Sequence, residues 1–171
     1  IEDISVQYHE NGVPILSKEQ IEAIALNCIS NLADSITLSP QMIPVKPLLD
    51  HLGETTGLTW QTMPLNFDTR EMIFGICDIK NFCIYIEKEL QENPHLLLFT
   101  LAHEIGHFIL HRHRTIKITN HNKMFTDTQR QLKEINRLLS PADWLEWQAN
   151  YFAASLLMPR LSFKNAVYTF I

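Results

Sequence analysis

His103, Glu104 and His107 stand in the order His-Glu-x-x-His, within His103-Glu104-Ile105-Gly106-His107. On a helix the two histidines are one turn apart, so both imidazoles can face one ion while Glu104 projects from the adjoining edge of the same face. This is the arrangement of a zinc hydrolase. Catalytic zinc takes three protein ligands and leaves a position for water, whose pKa it lowers to roughly 7. Neutral imidazoles hold the ion without cancelling its charge. A carboxylate beside the first imidazole can take a proton from the attacking water and pass it to a leaving amine. The spacing therefore assigns His103 and His107 to the metal and Glu104 to general base catalysis.

Such a pattern works only on a helix, and its surroundings predict one. Asn93 and Pro94 pair a capping side chain with a proline at the first helical position, where a missing N–H costs nothing. From Leu96 to Leu110 apolar residues cover nearly every side, which predicts a buried helix. Two histidines and a glutamate interrupt that run, so it is not a membrane span. Gly106 costs roughly 1 kcal/mol in a helix interior, a cost offset where another backbone must come close.

A third ligand must come from elsewhere. His113 has the six-residue spacing of the metzincin pattern, but Leu110 stands where that pattern has the glycine that turns the chain back. With leucine there the helix is expected to continue through His111 and carry His113 away. Glu146 lies on a second helix, predicted from Ser140 as cap, Pro141 at the first position and Met158-Pro159 as the stop. On it Glu146, Ala149, Asn150 and Ala153 share one face, and the alanines allow close packing. Glu146 is the second candidate ligand beside His113, although position alone favours a solvent-facing carboxylate, and Asn150 is a candidate to orient a ligating histidine. Asp143 is the rival acid, although its place in the first turn is already explained by the helix dipole.

Together these two stretches, Leu101 to His111 and Glu146 to Pro159, resemble the ImmA/IrrE family of zinc peptidases, whose pattern is a helical HEIGH followed by ExxANxFAxxLLMP. The resemblance implies Zn2+ held by His103, His107 and Glu146, with Glu104 as general base. It also implies a substrate: a helix-turn-helix transcriptional repressor, cut by an anti-repressor that switches on mobile-element, phage or stress genes. Two other readings stand beside this one, a zinc-binding module that sequesters its partner without cutting it and a toxin-like protease.

At 171 residues and 46% hydrophobic content the chain predicts one domain, residues 1–171, with a sizeable core. A net charge of −5 and scattered lysines and arginines argue against direct nucleic-acid binding. The short basic run from His111 to Arg114 suits the C-terminal end of the first helix. Cys28, Cys77 and Cys83 form no CxxC pair and no secretory signal precedes them, which predicts reduced thiols in the cytoplasm. The start at Ile1 without methionine and the apolar end at Ile171 suggest a chain trimmed from a longer protein.

The remaining elements predict an α+β, zincin-like fold: a small antiparallel or mixed sheet of about three strands packed against helices. Residues 17–33 are expected as a helix capped by Ser17, Pro40 to Pro47 as a loop, and a short helix through Leu48, Leu49 and Leu52, bracketed by Gly53 and Gly57. Strands are expected at 58–65, 71–79 and 81–87, with a turn at Asp78-Ile79-Lys80-Asn81. The strand carrying Phe82, Ile84 and Ile86 is expected at a sheet edge, where it would bind extended substrate by β-augmentation. Thr126 is expected to cap a helix through Leu139. Core packing is expected of Trp144 and Trp147. The oxyanion donor is unassigned among Tyr85, His111, His113, His121 and Tyr151.

Overall fold

The computed structural model describes residues 7–8, 13–30, 45–66, 72–112, 124–128 and 141–169. The hairpin β1 (Gln7–Tyr8) and β2 (Pro14–Ile15) leads into α1 (Lys18–Ser30) and α2 (Val45–Thr56). Strands β3 (Thr59–Met63), β4 (Ile73–Asp78) and β5 (Cys83–Glu87) follow, then a 3-10 turn and α3 (Pro94–His111). The chain closes with β6 (Met124–Thr128), α4 (Pro141–Leu157) and α5 (Arg160–Thr169).

Local chemistry explains the helix ends. Ser17 and Gln20 form a reciprocal box: the Ser17 hydroxyl accepts from the Gln20 N–H at 3.2 Å and the Gln20 amide oxygen accepts from the Ser17 N–H at 2.8 Å. Behind it Ile21, Ile24, Ala25 and Ile29 are buried at helical spacing. Helix α2 starts at Val45, inside the stretch expected as loop, because Pro47 is tolerated in a first turn. It ends at Gly57, whose φ of 77° suits glycine and whose N–H returns to the Gly53 carbonyl. The Asn93 side chain caps α3 by accepting from Leu96 N–H at 3.3 Å. As Leu110 predicts, α3 runs through His111, and Arg112 at its end lies over the Phe108 ring.

The second sheet is mixed, in the order β3-β5-β4-β6. β3 runs parallel to β5, and β4 pairs antiparallel with both β5 and β6. Asp78 closes the β4-β5 turn by accepting from the Asn81 backbone and side-chain N–H groups. Helix α3 packs between this sheet and α4, while α1 covers the other side of α4. Ile84, Ile86, Ala102, Ile105, Phe108, Phe152 and Leu156 are wholly buried where these layers meet. The four layers give the α+β arrangement expected from the sequence, with one strand more. Among the described residues no helix is long and apolar enough to cross a membrane.

Three expectations are corrected. The strand of Ile84 and Ile86 is interior, paired with β3 on one side and β4 on the other, so its backbone groups are spent within the sheet and it offers no edge to a substrate. Ile84 and Ile86 are core residues, and Phe82 sits in the turn at φ 52° with its ring edge on Phe108. Thr126 lies within strand β6 instead of capping a helix, because the open side of β4 recruits Met124–Thr128 into the sheet. Trp144 is 42% exposed and leaves the core to Leu145 and Phe152.

Candidate metal centre

Two helices build the site, and a missing side chain on one of them sets their distance. A Cβ on Gly106 would lie 3.0 Å from Phe152 Cδ1 and 3.2 Å from both Cα and O of Ala149. Gly106 therefore lets α3 and α4 meet backbone to backbone, the close approach its cost implied. Ala149 and Ala153, both wholly buried, supply the matching face.

At this crossing His103, His107 and Glu146 come together, with ligand atoms all within 4.8 Å of one another. The Nε2 atoms of His103 and His107 are 2.9 Å apart. Glu146 Oε2 is 3.3 Å from His103 Nε2, and its Oε1 is 3.3 Å from His107 Nε2. Both histidines are buried and the Glu146 side chain is 13% exposed. Burial lowers the pKa of His107, keeping its imidazole neutral. Burial pushes the Glu146 carboxyl up, but the imidazoles of His107 and His103 outweigh it and hold the group well below the usual carboxylate range. A neutral imidazole and an ionised carboxylate are the forms that bind metal.

The residues fit a divalent cation. Two imidazoles and a carboxylate form a catalytic zinc set, whose ligand atoms on a tetrahedral ion stand about 3.3 Å apart at Zn–N distances of about 2.0–2.1 Å. The two carboxylate-to-imidazole distances match that separation and the imidazole pair is tighter. Glu146 Oε2 is also buried while accepting no hydrogen bond among the described residues, a cost that a cation removes.

Glu104, next to His103 in the sequence of α3, is wholly buried against β4. A Cβ on Gly75 would stand 2.5 Å from Glu104 Oε1, and the Cys77 thiol is raised by burial first and by the Glu104 carboxylate next. Gly75 pairs with Ile86 and Cys77 with Ile84, so these four share the sheet face toward α3. Tyr85 consequently points from the opposite face, away from Glu104.

Behind the metal-facing nitrogens, polar side chains meet the other nitrogen of each imidazole. His103 Nδ1 is 3.0 Å from Asn150 Oδ1, the position expected of an orienting residue. His107 Nδ1 is 3.0 Å from His111 Nδ1, and His111 Nε2 is 3.1 Å from Gln148 Oε1. His111 thus stands behind a candidate ligand instead of at an oxyanion position. Tyr151 donates to Glu22 Oε1 at 2.6 Å, on the α1 side of α4. His113 and His121 lie outside the described residues. Sequence reading did not find Gly75 or Gln148; His111 carried a signal, being one helical turn beyond His107.

The family model for the IrrE N-terminal-like domain, a peptidase family, matches residues 77–171, more than half of the chain. The chain belongs to this peptidase family. Among curated proteins, no relative matches it. The family match spans His103, Glu104, His107 and Glu146, and it accords with a metallopeptidase-like function carried by a His-His-Glu group. Gly75 and the β1-β2 hairpin of this IrrE-like chain precede the matched stretch.

Proposed function

We propose that this chain is a zinc-dependent endopeptidase that hydrolyses a peptide bond in a regulatory protein, a helix-turn-helix transcriptional repressor, and thereby acts as an anti-repressor. The observation that carries the peptidase reading is the His103-His107-Glu146 group, with the Glu104 carboxylate, on the same helix as the two histidines, buried against Gly75. His103, His107 and Glu146 would hold the ion. A zinc ion held there would supply Lewis-acid chemistry, polarising a carbonyl and lowering the pKa of a water to near 7. Glu104 takes the proton of the attacking water at a carboxylate oxygen and delivers it to the leaving amine. Asn150 fixes the His103 ring, and the α3-α4 layer keeps bulk water from the rear of the site.

The choice of a repressor rests on the resemblance to ImmA/IrrE peptidases, and a net charge of −5 suits an enzyme that handles a DNA-binding protein without binding DNA. Three free thiols fit a cytoplasmic setting. Co-expression with the regulator encoded beside it, followed by mass measurement, tests the reading. Two fragments are expected with the wild type and none with Glu104→Gln, which keeps its zinc. An intact regulator held in a tight complex by the zinc-loaded wild type would identify a sequestering module instead, and Glu104→Gln at full activity would remove the general base.

A further inference from the structure

The hydrogen-bonded series behind His107 continues to the N-terminal hairpin. Gln148 is 2% exposed, and its side-chain amide donates to the Pro14 carbonyl in β2 at 2.7 Å. A backbone carbonyl only accepts, so the amide nitrogen of Gln148 must face Pro14 and its Oε1 must face His111. That oxygen also only accepts. His111 Nε2, at 3.1 Å, therefore carries a hydrogen, and in neutral imidazole its Nδ1 is then a bare acceptor. Facing that acceptor at 3.0 Å, His107 Nδ1 must carry a hydrogen in turn. What is left on His107 is an unprotonated Nε2, aimed at His103 and Glu146.

We propose that Gln148 and His111 are positioning residues that fix the His107 tautomer for metal binding, and that the Pro14 carbonyl sets the direction of the whole hydrogen-bond chain. The inference rests on the metal centre proposed above and deepens it. With His111 neutral, each bond in the series has one possible polarity, and reversing one would leave a buried donor facing a donor or an acceptor facing an acceptor. The direction is set by β2, which precedes the stretch matched by the family model. The N-terminal hairpin is thus part of the metal site although it contributes no ligand.

The test begins with the full-length wild type, 15N-labelled at histidine, in long-range 1H–15N spectra of the zinc-free and zinc-loaded protein. His111 is expected as the Nε2–H tautomer and His107 as the Nδ1–H tautomer in both; His111 protonated at Nδ1 would overturn the proposal. Zinc affinity, by competition with a chromophoric chelator, then separates positioning from packing. Gln148→Met keeps the volume and loses the acceptor, and a loss of about 10–100-fold is expected. Gln148→Glu can accept from His111 with one oxygen and, as the acid, donate to Pro14 with the other, so it should bind zinc more tightly than Gln148→Met. A pure packing role predicts the reverse order, because the apolar side chain would then be the milder change. Wild type that binds no zinc fails the functional reading alone, since the zinc-free spectrum still decides the tautomers.

Discussion

Gly75 on β4 faces Glu104 on α3 so closely that one added carbon would stand 2.5 Å from the carboxylate oxygen Oε1. A strand glycine is otherwise unfavourable, and here the absent side chain is the space that Glu104 occupies. Gly75→Ala must push the carboxylate aside, since Thr100 Cγ2 closes the other side at 2.9 Å. Misplacing a catalytic group by about 1 Å can cost about 100-fold in rate, and a loss of that order in kcat is expected with zinc content unchanged. Steady-state kinetics with metal analysis of the same sample decide it; wild-type kcat would show that Glu104 needs no such space.

Gly106 sets the helix crossing in a comparable way. In Gly106→Ala, better helix propensity contributes about 1 kcal/mol, but the new Cβ meets the Ala149 backbone, and overpacking costs typically about 1–3 kcal/mol. A net destabilisation of about 1 kcal/mol is expected together with weaker zinc binding, because α4 carries Glu146. Denaturant unfolding of the zinc-free protein and chelator competition measure the two effects, and an unaltered zinc affinity would mean that the crossing distance does not set the site.

Glu146→Gln keeps the shape and removes the charge. Its zinc affinity is expected to fall by more than the about 10–100-fold typical of an outer partner, whereas replacing His113 should change it little. Isothermal titration of both variants settles which residue is the third ligand, and the opposite ranking would favour the metzincin-type histidine.

Acid should destabilise the zinc-free protein. The folded-state pKa of His107 lies below its ordinary 6.5, owing to burial, so as pH falls through about 6.5 the unfolded chain takes up a proton that the folded chain refuses. Stability from this group is complete above 6.5 and declines below it, by at most about 1.4 kcal/mol per pH unit for one proton. Glu146, whose folded pKa lies below 4.5, adds a loss of the same sign below that pH. Urea midpoints measured in chelator between pH 7.5 and 5.5 should therefore decline, and a flat profile would show that His107 is protonated equally in both states.

How much of this was legible depends on the range of the interaction. Asn93, Pro94 and the 3.6-residue recurrence from Leu96 to Leu110 specify α3 and the common face of His103 and His107, because caps and helical period act within a few residues. The shared face of Glu146, Ala149 and Asn150 was legible for the same reason. The edge expected for Phe82, Ile84 and Ile86 was not, since alternation marks a strand without naming its neighbours. β3, which precedes β4 in the chain, joins the far side of β5, and Met124–Thr128 reaches β4 from beyond α3.

By itself the sequence determined the chemistry on offer: two imidazoles and a carboxylate on one helix, a second carboxylate on another, and the helix ends that hold each in phase. Only the tertiary structure decided that Glu146 meets both histidines, that Gly75 makes room for Glu104, and that Pro14, Gln148 and His111 join in one hydrogen-bond series. The physical reason is that caps and periodicity are written into neighbouring residues, whereas a contact between residues 14 and 148 exists only once α1, α3 and α4 have packed and excluded the water that would otherwise satisfy those groups.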